Sequence, residues 1–353
     1  MTATLPLPLN SIERRIWNMK DNNPNRHRHV GMKLNRNIYS PMGTLVIPAS
    51  TILTQVEVDL LNELNIELGE GDVEESSIHR LVHSSLREIR DAFEHVRFSD
   101  LLPCDQAYAN IVPIIAHMSR FTGMRSVFAY LERQDEYTYR HSIGVALMAG
   151  IIGQALGLSE RDQHELTIAG LIHDVGKTMI PPEILHKPGR LTPEEFERVK
   201  YHTVHGYMII SNTAGISERQ ALVALQHHER EDGSGYPYGL KGDEIDFFSK
   251  VVAVADVFHA MISRRSYRDP IPFYQVFREL YGHSFGKLER SITRTFLKRM
   301  MDLTLGSRVL LSDGREGVIR MVKETAPVDP IVEVDGKCID LSVESSIGLV
   351  RFL

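Results

Sequence analysis

Residues 251–258 read Val-Val-Ala-Val-Ala-Asp-Val-Phe. Wound into a helix, this stretch is apolar on every side, so the helix is expected inside a core with the lone carboxylate of Asp256 buried in it. A buried anion is costly unless it is paired or coordinates a cation. No lysine or arginine lies within a helical turn of Asp256, which leaves a metal ion as the simplest partner.

Further ligand candidates lie to the N-terminal side. His173 and Asp174 close a predicted helix that opens with Ser159 and Asp162, carries Leu166, Ala169, Leu171 and Ile172 on its apolar side, and is stopped by Gly176. The two oxygens of one carboxylate can serve two ions, which makes Asp174 the candidate bridge. His227 and His228 close another predicted helix, capped by Ser217 with Gln220 and lined by Ala221, Leu222, Ala224 and Leu225. The following Asp232-Gly-Ser-Gly-Tyr-Pro237 cannot remain helical, so each histidine pair falls where a helix gives way to a glycine loop. With His141 and His202 the set is five histidines and two aspartates, suited to two metal ions held between helices. Nitrogen and oxygen donors without thiolate favour iron or manganese, with zinc as a further candidate.

The strings HDVGKTMIPPEILHKPGRLTPEE, KYHTVHG, HHEREDGSGYPYGLKG and VVAVADVFHAM follow one another within roughly residues 126–300. Together they resemble the HD-GYP branch of the HD phosphohydrolases. The resemblance implies an all-helical domain, a bimetal or trimetal centre and hydrolysis of the bacterial messenger cyclic di-GMP. It implies His141, His173, Asp174 and Asp256 on one ion, with Asp174, His202, His227 and His228 on the other. Lys177 would face the scissile phosphate, and Arg265 and Arg268 would grip the ligand's phosphates. Gly235, Tyr236 and Pro237 would form the signature loop, which shapes the rim of the site and offers a contact to partner proteins such as diguanylate cyclases. Family members with a third metal carry a glutamate four residues before the first histidine. Tyr137 stands at that place here, so two metals are expected rather than three. Glu231 is a second departure, at a position where an aromatic residue is frequent.

Charge sets the expected chemistry. Two divalent ions, two aspartates and a bridging hydroxide leave about one net positive charge, which attracts a phosphodiester. The hydroxide would attack phosphorus in line while Lys177 neutralises the nonbridging oxygens, giving linear pGpG and, with further turnover, GMP. Two alternatives stay open: a catalytically silent cyclic di-GMP receptor or adaptor that binds diguanylate cyclases, and a hydrolase of another cyclic dinucleotide.

Most of the 16 histidines have bland readings. His27, His29, His79, His83, His95, His117, His164, His186 and His283 are set aside as structural or solvated. His205 and His259 share helical faces with His202 and Asp256, but plain packing is the favoured reading for both.

The chain has 353 residues, 42% of them hydrophobic, and a formal net charge of −6. That length suggests two or three domains, and that charge gives no general affinity for nucleic acid or membranes, although Arg14 to Arg36 is locally basic. Cys104 and Cys338 are too few and too isolated for a disulfide framework. The longest apolar run, Val145 to Leu158, is too short to span a bilayer, and no signal segment opens the chain, so a cytoplasmic protein is expected.

The predicted fold is mainly α. Residues 1–76 read as a small α+β module, with strands near Val30 to Leu34 and Thr44 to Ile47, a turn at Ser40 to Gly43, and a helix capped by Thr54 and Glu57. Residues 77–125 form a helical connector that begins with an amphipathic helix from Ser77 to Phe98; its stripe could serve a homodimer, but pairing needs a longer heptad run, so a core face is favoured. Residues 126–303 form the catalytic domain. Residues 304–353 switch to short strands at Arg308 to Leu311, Gly317 to Met321, Ile331 to Val334 and Lys337 to Ile339, which suggests a small all-β, barrel-like domain packed on the helices.

Overall fold

The computed structural model describes residues 32–103, 137–263 and 273–353, apart from positions 52, 54, 70, 76, 188 and 345, together with residues 29, 108, 112 and 113. Thr54, Cys104, Arg265 and Arg268 lie outside the described residues. The chain divides into two compact units, Met1–Glu74 and Glu75–Leu353.

In the first unit, strand β1 (Met32–Leu34) is followed by the antiparallel pair β2 (Ile38–Tyr39) and β3 (Leu45–Ile47). The expected turn joins them: the Ser40 N–H donates to Thr44 O, the Thr44 N–H donates to the Ser40 hydroxyl, and Gly43 takes φ +82°, where a side chain would be strained. Helix α1 (Gln55–Glu63) follows, and β4 (Val73–Glu75) returns to pair with β1. Leu34, Ile38, Ile47, Leu53 and Leu61 are buried beneath these short elements.

The second unit begins with α2 (Ser77–Ser99), which buries Leu86, Ile89, Phe93 and Val96 in a core shared with the helices that follow. Helix α3 (Tyr137–Ala155) packs against α4 (Glu160–Ile172), and the two backbones come close at Gly170, where an added Cβ would lie 3.0 Å from the Ala146 Cα. Ser159 caps α4 as expected, its hydroxyl accepting the Asp162 N–H at 3.1 Å. After a 3-10 turn over Val175–Met179 come α5 (Pro193–Lys200), α6 (His202–Ser211) and α7 (Glu218–Gln226). Capping boxes open α5 at Thr192 with Glu195, and α7 at Ser217 with Gln220. Helix α8 (Phe247–Ser263) is as buried as its composition demands, with Val251, Val252, Val254, Ala255 and Phe258 fully enclosed and α3 and α7 packed on it.

Helices α9 (Phe273–His283) and α10 (Arg290–Asp302) carry the core onward to an antiparallel sheet. Its strands are β5 (Arg308–Leu311), β6 (Glu316–Lys323), β7 (Ala326–Val334), β8 (Lys337–Asp340) and β9 (Leu349–Phe352), in the order β8-β7-β6-β5-β9. α10 lies against β6 and β7, and the Tyr274 hydroxyl on α9 donates to the Val328 carbonyl at 2.6 Å. The fold is thus mainly α with small β parts, as the sequence pattern implies. Strands β2, β4 and β9 are additions to the expected set.

Candidate metal centre

Three helix ends build the site. Each α-helix leaves the carbonyls of its last turn without intrahelical partners, and here those carbonyls orient imidazoles. His173 Nδ1 donates to Gly170 O at 2.8 Å at the end of α4, and His202 Nδ1 donates to Val199 O at 2.7 Å at the end of α5. His227, the C-cap of α7, donates through Nδ1 to Ala224 O at 3.0 Å. A carbonyl only accepts, so in each neutral ring Nδ1 carries the proton and Nε2 the lone pair. Helix C-termini also carry partial negative charge, which favours a cation.

Asp174 sits where these ends meet, 1% exposed. Its Oδ1 lies 3.3 Å from His202 Nε2 and 3.8 Å from His227 Nε2, whereas Oδ2 lies 3.3 Å from His173 Nε2 and 3.6 Å from His141 Nε2. One carboxylate therefore turns an oxygen to each of two histidine groups. Asp256, on α8, completes the second group, 3.1 Å from His141 Nε2, and comes within 3.9 Å of His228 Nδ1. Asp174, His202, His227 and His228 form one set whose candidate ligand atoms lie within 4.8 Å of one another, and His141, His173 and Asp256 form another. All seven residues singled out in the sequence converge. Lys177, one turn after Asp174, places Nζ 2.5 Å from Asp174 Oδ2.

The donor set can hold metal ions. Among the described residues, His173 Nε2 and Asp174 Oδ1 are buried without a hydrogen-bond partner, an arrangement that is costly unless a cation satisfies both. Burial favours a neutral Asp174, but Lys177, His173 and His202 outweigh it and hold the carboxyl well below the usual carboxylate range. Asp256 is likewise held low against its burial, chiefly by His141. Burial, reinforced by neighbouring imidazoles, keeps His227 and His228 well below the ordinary histidine value, so both stay neutral. Burial also disfavours a charged His173, yet Asp174 and Asp256 reverse that and raise it, a measure of how strongly this spot attracts positive charge.

The glycine loop lies against this centre at His228. The Tyr236 ring stacks on His228 with centroids 4.6 Å apart and planes 29° apart, and its N–H donates to His228 O at 3.2 Å. Gly235 permits that approach: an added Cβ would meet Glu229 Cα at 2.4 Å and His228 O at 2.5 Å. Pro237 is half-buried, Tyr238 is 65% exposed on the outer side, and Lys200 Nζ lies 5.6 Å over the Tyr236 ring. Glu231, the unusual residue beside the loop, ties it to α8 through Lys250 at 3.2 Å.

Several residues with a part in this geometry escaped the sequence reading. Glu229, 2% exposed, accepts the N–H groups of Tyr238 at 2.8 Å and Leu240 at 3.0 Å, so its carboxylate clamps the loop. In the sequence it passes for one more charge in His-Glu-Arg-Glu-Asp. Gly176 does not stop α4 by conformational freedom; the chain continues as a 3-10 turn, and the missing side chain lets α6 approach, since a Cβ would lie 1.9 Å from His202 O and 2.4 Å from Gly206 N. His259 is more than packing, because its Nδ1 lies 3.0 Å from His141 Nδ1. The His205 ring lies beside Tyr201, with centroids 6.4 Å apart.

Residues 115–285 match the HD domain family model. This segment carries an HD domain and resembles the HD-GYP branch of that family. The chain is 45% identical over 174 residues to a cyclic di-GMP phosphodiesterase of Thermotoga maritima, covering 49% of this chain and 47% of the relative. A cyclic di-GMP phosphodiesterase of Pseudomonas aeruginosa is 31% identical over 242 residues, 69% of this chain and 58% of the relative. A 3′3′-cGAMP-specific phosphodiesterase of Vibrio cholerae is 36% identical over 166 residues, 46% and 38% of the two chains. The chain thus spans about half the length of the curated relatives it matches. No helix among the described residues is long and apolar enough to cross a membrane.

Proposed function

We propose that this chain hydrolyses cyclic di-GMP to linear pGpG at a centre of two divalent metal ions. The observation that carries the reading is Asp174, a buried carboxylate with one oxygen toward each of two histidine groups and Lys177 beside it. His141, His173 and Asp256 would hold one ion, and His202, His227 and His228 the other, with Asp174 shared. Tyr137 opens α3 one turn before His141, so the third-metal glutamate is missing and the count stays at two. Iron or manganese suits the all-nitrogen and oxygen donor set, with zinc also compatible. Bound there, such ions would supply a water-derived nucleophile at neutral pH and Lewis-acid polarisation of the phosphodiester.

The protein's own groups do the rest. Lys177 carries a positive charge to the edge of the centre, where it would neutralise charge developing on the nonbridging phosphoryl oxygens. Tyr236 covers His228 and carries the Lys200 ammonium 5.6 Å over its ring, a second positive charge near the site. With Tyr236 turned inward, the exposed Tyr238 is the loop residue left for a partner protein such as a diguanylate cyclase.

The test is anaerobic purification, metal analysis and turnover of cyclic di-GMP beside an Asp174→Ala variant. The wild type should hold two metals and release pGpG, and the variant should lose both properties. Equal turnover in the two proteins would refute the mechanism, and tight binding without turnover in the metal-loaded wild type would favour a receptor. Faster turnover of 3′3′-cGAMP in the same assay would reassign the substrate, the outcome that the Vibrio relative makes worth including.

A further inference from the structure

His141 is held unlike the other histidines of the centre. It lies inside α3 rather than at the end of a helix, where a last-turn carbonyl would orient it. Its Nδ1 instead faces His259 Nδ1 at 3.0 Å, with both residues buried. Two ring nitrogens at that distance share one proton, and the direction of the bond decides what His141 can do. If His259 donates, His141 carries its proton on Nε2 and gives it to Asp256 Oδ1 at 3.1 Å, leaving no lone pair for a cation. If His141 donates, its Nε2 lone pair is turned toward Asp256 and Asp174.

A second observation shows that the fold makes room for this pair. Gly144 lies one turn after His141, and a Cβ added there would meet His259 at 2.1 Å from Nε2 and 2.2 Å from Cδ2. Glycine in a helix interior is unfavourable relative to alanine, and here its absent side chain is the notch that seats the His259 ring against α3.

We infer that His259 is a positioning residue: its Nδ1 accepts the His141 Nδ1–H and fixes His141 in the tautomer whose Nε2 can hold the ion grouped with His173 and Asp256. The inference rests on the ligand assignment proposed above. Outer partners of metal-bound imidazoles commonly change metal affinity by about 10- to 100-fold when removed.

The experiment is manganese binding by the full chain, read as stoichiometry and affinity by elemental analysis after equilibrium dialysis against Mn²⁺, with helical circular dichroism to check folding. Wild type should bind two ions. His259→Leu fills the space without an acceptor and should keep the first ion while binding the second about 10- to 100-fold more weakly. His259→Asn places an accepting Oδ1 near the position of Nδ1 and should keep both. Gly144→Ala should displace the ring and reproduce the weakened second ion. Wild-type affinity for both ions in His259→Leu would overturn the inference, as would an equal loss in His259→Leu and His259→Asn. A wild type that binds no manganese would reject the ligand assignment itself, and the inference with it.

Discussion

Replacing Glu229 with glutamine changes one atom in the clamp that holds the glycine loop. The carboxylate is 2% exposed and accepts two backbone N–H groups, from Tyr238 at 2.8 Å and Leu240 at 3.0 Å. Hydrogen bonds to a charged acceptor contribute about 1.5–3 kcal/mol each. A glutamine keeps one oxygen, but its amide nitrogen must then face the other N–H, donor against donor. The expected loss is therefore about one charge-assisted bond, moderated because the neutral side chain no longer bears the cost of a buried charge, or roughly 2 kcal/mol of local opening energy.

At about 1.4 kcal/mol per factor of ten, that loss should speed hydrogen exchange of the Tyr238 and Leu240 amides roughly 30-fold. Amides in the middle of α4, such as that of Ile168, should be unaffected. The loop carries Tyr236 onto His228, so cyclic di-GMP turnover should fall while metal content holds. Unchanged protection at both amides would refute the clamp. A uniform gain in exchange across the molecule would refute it too, since it would mean that Glu229 supports the whole fold rather than this segment.

Lys177→Met should retain both metals yet lower kcat by about 10²- to 10³-fold, as expected for removal of one preorganised charge from a phosphoryl-transfer site; steady-state kinetics with metal analysis distinguishes this from loss of the centre. Gly176→Ala should destabilise the fold by about 3 kcal/mol or more in urea unfolding, because a methyl group 1.9 Å from His202 O must push α6 away from the 3-10 turn. The metal-free chain should lose stability as pH falls below 6.5. His227, His228 and His259 are depressed from 6.5, so the unfolded chain takes up protons that the native chain refuses, while the raised His173 is protonated in both states there and drops out. The net difference approaches three protons, a slope of up to about 4 kcal/mol per pH unit; flat stability between pH 6.5 and 5 in denaturant titrations would refute it.

What could be read from the chain alone follows how far each residue's partner lies along it. The caps at Ser159 and Ser217 engage groups three residues away, and both were legible. So were the buried helix around Asp256 and the strands joined by tight turns. Strand β9 was not, because four residues carry little alternation and its partner β5 lies far upstream. Strands β2 and β4, at two and three residues, are shorter still.

The same rule divides the site. His173, His202 and His227 take their orientation from carbonyls three residues earlier, at helix ends that the sequence itself marks, so their role could be read locally. His141 depends on His259, 118 residues away, through a notch at Gly144. Gly176 likewise matters for its closeness to His202 and Gly206, and Glu229 for amides that only a folded loop brings to it. Ligand identity is therefore a property of residue type and helix position, whereas ligand orientation passes to distant residues wherever a histidine falls in mid-helix. His141 is the proposed ligand placed that way, so it is where a substitution outside the proposed ligand set should release one metal and spare the other.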